Sequence, residues 1–168
     1  DYSTSGLENP LTHLLLAAAL WVHVRDRGGR RELLGLAVLV GLGLLNRLDT
    51  ALLFGPLLAA AWWRRRRVWA PSLGWICLGL APWLVWQGIS LVYYGFPFPN
   101  TAYAKLGTGL PAGALAQQGL RYLEHTLRRD PGTALVLLTG LGWPLYRRSP
   151  RCLAPVAGVA LYLAYVVR

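Results

Sequence analysis

The chain has 168 residues, enough for one domain of ordinary size; 55% are hydrophobic, 14% are charged, and mean hydropathy is +0.39. Such a composition excludes a disordered chain and argues against a soluble globular domain. The net charge of +10 would point to nucleic acid in a soluble protein, but here the apolar content is too high, and no nucleic-acid partner is expected.

The polar opening, residues 1–9, does not have the form of a cleavable signal peptide. Glu8 stands where a carboxylate can cap the helix that follows, or orient a ligand. The apolar run 10–24 predicts a first membrane-embedded helix, with His13 about one turn inside it. The loop 25–32 carries four arginines, and a second apolar run spans 33–45. Asn46-Arg47-Leu48-Asp49-Thr50 then interrupts two apolar runs of about 13 residues each, 33–45 and 51–63. Helices of that length rise roughly 20 Å, short of the ~30 Å hydrocarbon core, so the polar tip is expected below the outer surface. Ionisable groups at such depth face a cavity or a partner. Two readings stand open: an arginine gripping a phosphate with Asp49 orienting it or a sugar hydroxyl, or an ion pair closing a helical hairpin.

Four arginines at 64–67 precede the run 68–92, which alone is long enough to cross a bilayer comfortably and carries Pro71 and Pro82. Residues 93–105 hold five aromatics, Pro97 and Pro99 in an extended pattern, and Lys105, the single lysine beside sixteen arginines. They suit an interfacial aromatic belt, or a surface for a sugar or prenyl phosphate. Residues 111–129 predict an amphipathic helix, with Ala116, Leu120, Leu123 and Leu127 on one side and Gln117, Arg121, Glu124, His125 and Arg128 on the other. Two further apolar runs, 133–146 and 152–167, flank the basic loop 147–151. Cys77 and Cys152 sit in or beside apolar runs and are expected as buried free thiols; no metal-ligand spacing is present, so no cofactor is expected.

The expected fold class is all-α: a polytopic transmembrane bundle of about six embedded helices with one interfacial helix. The loops 25–32, 64–67 and 147–151 hold eleven of the 17 basic residues and alternate with the other connections. The positive-inside rule assigns them to the cytoplasm of a multi-pass protein. Residues 1–9, 46–50 and 93–130 then share the outer face, where five of the seven acids lie. Chemistry is expected on that varied face rather than on the arginine face.

Ser5-Gly6-Leu7-Glu8, Asn46-Arg47-Leu48-Asp49, Tyr93-Tyr94-Gly95 and Pro99-Asn100-Thr101-Ala102-Tyr103-Ala104-Lys105 together resemble multi-spanning GT-C glycosyltransferases. The resemblance is to the group containing the actinobacterial terminal β-1,2-arabinofuranosyltransferases, and covers roughly residues 3–106 with recognisable motifs. It implies an enzyme of the bacterial plasma membrane that transfers a sugar, arabinofuranose in that group, from a polyprenyl-phosphate donor to a cell-envelope glycan or glycolipid. Glu8, Arg47, Asp49, Asn100, Thr101 and Lys105 are the implied donor- or acceptor-binding residues. The resemblance also implies a larger chain, with the general base in an outer loop ahead of Asp1 and a Gly-Gly-Asp-containing loop beyond Arg168. The absence of Met and the apolar run 161–167 fit that expectation of a fragment, inactive alone. The alternative is a non-enzymatic polytopic membrane protein, such as a motility-assembly or lipid-handling factor.

Overall fold

The computed structural model describes residues 9–25, 28–97, 111–147 and 150–167. They form seven α-helices and two short 3-10 turns, with no strand among the described residues, so the all-α expectation holds. The helices are α1 (Asn9–Arg25), α2 (Arg30–Asn46), α3 (Ala51–Arg64), α4 (Trp69–Tyr94), α5 (Ala112–Arg129), α6 (Pro131–Arg147) and α7 (Pro150–Val167). Leu48–Thr50 and Arg66–Val68 are the 3-10 turns. The chain divides into two compact units, Asp1–Pro97 and Phe98–Arg168.

In the first unit α2 packs on α1, on α3 and most extensively on α4. Its buried residues Leu33, Leu36, Ala37 and Val40 recur at helical spacing. Leu15 and Ala19 of α1 and Phe54, Leu57 and Ala61 of α3 complete the core. Small residues set the distance between α2 and α4. A Cβ added at Gly79 would overlap the Cβ of Ala37 and the backbone of Ala37 and Val38, and one at Gly41 would lie 3.2 Å from the Gly79 carbonyl oxygen. At these positions the two backbones approach closely, with Leu80 packing beside Gly41.

Helix α4 has 26 residues and so rises about 39 Å. With the turn before it, Arg66–Tyr94 is the one segment among the described residues long and apolar enough to cross a membrane. Only Ser72 and Gly79 of α4 are buried; Leu78, Val85, Ile89 and Val92 are exposed, unlike the core helix of a water-soluble fold. The thiols depart from expectation for the same reason. Both are free, but Cys77 is exposed and Cys152 half-buried, because helices that bury so little of their apolar surface leave their cysteines uncovered. Pro82 lies inside α4, whereas Pro71 falls in its first turn, where a missing N–H is harmless. The helix ends at Gly95, whose φ of +73° suits a residue without Cβ, and the Gly95 N–H donates to the Leu91 carbonyl at 3.1 Å. Ser90 Oγ donates to the Phe96 carbonyl at 3.0 Å and Gln87 Nε2 to the Pro97 carbonyl at 2.8 Å, turning the chain back along α4.

In the second unit α5, α6 and α7 pack on one another. The expected amphipathic helix is present as α5, but its apolar side is only partly covered: Leu120 and Leu127 are exposed, Leu115, Ala116 and Leu123 half-buried. Gly119 is buried, and an added Cβ there would lie 2.5 Å from the Val167 backbone of α7. Asp130 joins α5 to α6. Its N–H donates to the Thr126 carbonyl, closing α5, and its carboxylate accepts from the Thr133 N–H at 3.0 Å and Thr133 Oγ1 at 2.5 Å, capping α6. Pro131 follows at the first helical position, where its fixed φ is favourable.

Two expected outcomes follow from this packing. Gly79→Ala forces its methyl into α2 and lowers stability by about 1–3 kcal/mol in thermal unfolding. Gly88→Ala, with no atom within 4 Å of the added Cβ, leaves stability unchanged or slightly raised. Asp130 gives a pH dependence. The Thr133 hydroxyl and N–H bonds hold its carboxyl below the ordinary value of 3.8. Its contribution is therefore fully present above the unfolded value and is lost as pH falls through the lower folded one. Amide exchange in the first turn of α6 should speed up over that acid window, and Asp130→Ala should remove this pH-dependent component.

Candidate functional site

The candidate site lies where the start of α1, the end of α2 and the start of α3 meet. Helix α2 stops because Arg47 adopts an extended backbone, φ −154° and ψ 129°, while its N–H still donates to the Gly43 carbonyl at 2.8 Å. The Arg47 carbonyl accepts from Thr50 N–H at 3.2 Å and Thr50 Oγ1 at 2.6 Å, fixing the 3-10 turn. Gly43 is required beside this turn. A Cβ there would lie 2.9 Å from the Phe54 ring and 3.2 Å from Thr50 Oγ1, both buried against α2.

This backbone brings Arg47 over Asp49, two residues on. Arg47 Nε donates to Asp49 Oδ1 at 3.1 Å and Nη2 to Oδ2 at 2.8 Å, a bidentate ion pair. The side chains are 30% and 14% exposed, so the pair is partly screened from its surroundings without being sealed. Arg47 Nη1 lies 3.5 Å from Asn9 Oδ1, and Asn46 Nδ2 donates to Thr12 Oγ1 at 2.8 Å. Two side chains from the first turns of α1 thus tie it to the turn. His13, by contrast, is exposed on α1. Of the site residues expected from sequence, Arg47 and Asp49 are brought together; Glu8, Asn100, Thr101 and Lys105 lie outside the described residues. Asn9 and Thr12 were not singled out. Their signal was two polar residues three apart, one helical turn, at the start of an apolar run.

A second polar cluster occupies the opposite ends of the same helices, where the sequence showed only arginine loops assigned to one face. Glu32 and His23 are fully buried. Glu32 Oε1 accepts a hydrogen bond from Arg64 Nη2 and lies 3.6 Å from His23 Nδ1. Arg65 Nη1 donates to the Gly28 carbonyl at 3.2 Å, and Gly28 has φ +94°, a conformation that favours glycine. So α1, α2 and α3 are joined around one carboxylate at this end. Glu32 belongs to the first turn of α2, and the interhelical stretch is shorter than the charged loop 25–32 suggested. Among the described residues no group of three or more His, Cys, Asp and Glu side chains could hold a metal ion.

The described residues define an all-α protein with one membrane-length helix and a paired arginine–aspartate turn. No known protein family, curated protein or solved structure matches the chain.

The buried carboxylate yields a direct test. Arg64→Met removes the cation beside a buried carboxylate, and is expected to lower stability by about 3 kcal/mol. Adding Glu32→Leu to that variant should recover most of the loss, read as the unfolding midpoint of each protein.

Proposed function

We propose that the chain is part of a polytopic membrane glycosyltransferase that uses a polyprenyl-phosphate sugar, with the Arg47–Asp49 turn in its donor-binding region. The observation that supports this reading is the turn itself, a half-exposed guanidinium held in fixed orientation by a carboxylate and set among Asn9, Thr12 and Asn46. Residues positioned before a ligand arrives lose little freedom on binding it, which is what a site for a charged headgroup requires. The exposed apolar surface of α4, of Leu135, Val136 and Leu138 in α6, and of Leu161 and Val166 in α7 suits helices immersed in lipid. The exposed Leu120 and Leu127 of α5 suit a helix lying at the interface. In this reading the loops 25–32, 64–67 and 147–151 are cytoplasmic and the Asn46–Thr50 turn faces outward.

The reaction is a single inverting displacement. A carboxylate base removes the proton of the acceptor hydroxyl, whose oxygen attacks the anomeric carbon as the bond to the prenyl phosphate breaks. Negative charge grows on the departing phosphate oxygen, and a cation such as Arg47 or Lys105 stabilises it. Glu8, Asp49, Asn100 and Thr101 would orient sugar hydroxyls or the acceptor.

One observation favours a second reading, a non-enzymatic membrane protein. Arg47 already makes two charge-assisted bonds to Asp49, as it would if the pair only closed the α2–α3 hairpin. Transfer from a radiolabelled prenyl-phosphate sugar separates the two. Arg47→Ala is expected to lower transfer by the full protein by about 100-fold or more, as loss of a charge-stabilising donor does elsewhere. Asp49→Asn, which breaks the pair without removing the cation, should lower it less. Wild-type rates in both variants, with folding intact, would leave the turn a structural one.

A further inference from the structure

The arginine end of the first unit carries more than an orientation signal. The bonds Arg64–Glu32 and Arg65–Gly28 gather the end of α1, the start of α2, the end of α3 and, through the turn Arg66–Val68, the start of α4. Two of the four consecutive arginines are therefore turned inward. The other two, Arg66 and Arg67, are exposed, as are Arg25, Arg30 and Arg31 on the neighbouring helix ends. Five guanidinium groups from three separate stretches of chain thus share one end of one compact unit. Glu32, an acid of the same stretch, is buried against Arg64 and does not offset them at the surface.

Indole rings lie among these cations. Trp21, Trp63 and Trp69 are 64%, 64% and 61% exposed. Arg25 lies over the Trp21 ring at 5.8 Å from its centroid, and Arg66 over the Trp63 ring at 4.9 Å. Tryptophan prefers the headgroup level of a bilayer, where its ring meets acyl chains and its N–H meets water. Arginine held on such a ring has its flat donor edge turned to the side, which is the geometry that grips phosphate oxygens. A small inorganic anion would need the cations but would have no use for the exposed indoles, and in the membrane reading the polyanion at hand is the lipid surface. A phospholipid uses both.

We propose that this end of the first unit binds the phosphodiester headgroups of acidic phospholipids in preference to zwitterionic ones. Arg25, Arg30, Arg31, Arg66 and Arg67 supply the charge, and the exposed indoles contact the adjoining acyl chains. The inference rests on the membrane reading above, though not on the glycosyltransferase one.

Tryptophan fluorescence reads the occupancy directly, because brominated acyl chains quench indoles that they touch. The 168-residue chain is reconstituted in phosphatidylcholine bilayers with about a third phosphatidylglycerol, and bromine is placed on one lipid or the other. Stronger quenching by brominated phosphatidylglycerol, expressed as its binding constant relative to phosphatidylcholine, is the expected result. The double variant Arg66→Gln/Arg67→Gln should reduce that preference by about tenfold or more. Arg66→Lys/Arg67→Lys should retain a salt-sensitive part of it, because the charge remains while the planar fork is lost. Equal quenching by the two lipids, or a preference that survives the glutamine variant, would overturn the proposal. So would full loss of the preference on adding inorganic phosphate at constant ionic strength, since the site would then be one for the free anion. Reconstitution is scored first. A chain that remains in the aqueous fraction refutes the membrane reading and this proposal together, whereas insertion with equal quenching refutes the lipid preference alone.

Discussion

The close approach of α2 to α4 is the contact on which the first unit depends. Ala37, Gly41 and Gly79 allow the backbones to meet where any larger side chain would hold them apart. Because α2 also packs on α1 and α3, it is the shared wall of the unit, and its position fixes both ends of the other helices. At one end the Asn46–Thr50 turn is drawn to Asn9 and Thr12; at the other, Glu32 draws in Arg64 and His23. The polar chemistry is thus confined to the helix ends, with an apolar, small-residue seam between. Longer side chains at that seam would alter both polar clusters without touching either.

The two clusters differ in a way that bears on function. Arg47 and Asp49 are neighbours in sequence and partly exposed, so their pairing asks little of the rest of the fold and leaves the guanidinium within reach of a ligand. Glu32 and Arg64 are distant in sequence, and Glu32 is fully buried. A buried carboxylate is tolerable only while its partners stay in place, so that cluster holds three helices in register. One end is built to be rigid. The other is a local ion pair, partly exposed and tied to α1 through Asn9 and Thr12.

Much of this was legible because helix formation is local. The apolar runs 10–24, 33–45, 51–63 and 68–92 each became a helix, and the amphipathic spacing of 111–129 became α5. The Asn46–Thr50 turn was legible too, since Arg47 and Asp49 two apart cannot share a helix face but can share a turn. What escaped was long-range. Glu32 read as the end of a charged loop, and His23 as part of the apolar run 10–24, because nothing in the spacing shows that Arg64, 32 residues on from Glu32, will cover the carboxylate. Cys77 was misjudged for the converse reason: an apolar neighbourhood in sequence says nothing of whether the fold covers it. The other expected site residues, Glu8, Asn100, Thr101 and Lys105, rest on the sequence alone.

The junction at Asp130 has a consequence of its own. One residue ends α5, begins α6 and caps the latter with its carboxylate, so there is no slack between the two helices. The azimuth of α5 about its own axis is therefore set by covalent phase: each residue gained or lost there would rotate its Leu120–Leu127 stripe by about 100°. Neighbouring segments of most proteins exchange length freely through loops. Here a single residue gained or lost at the junction would change which side of α5 meets α6 and α7, with no loop between the helices to absorb it.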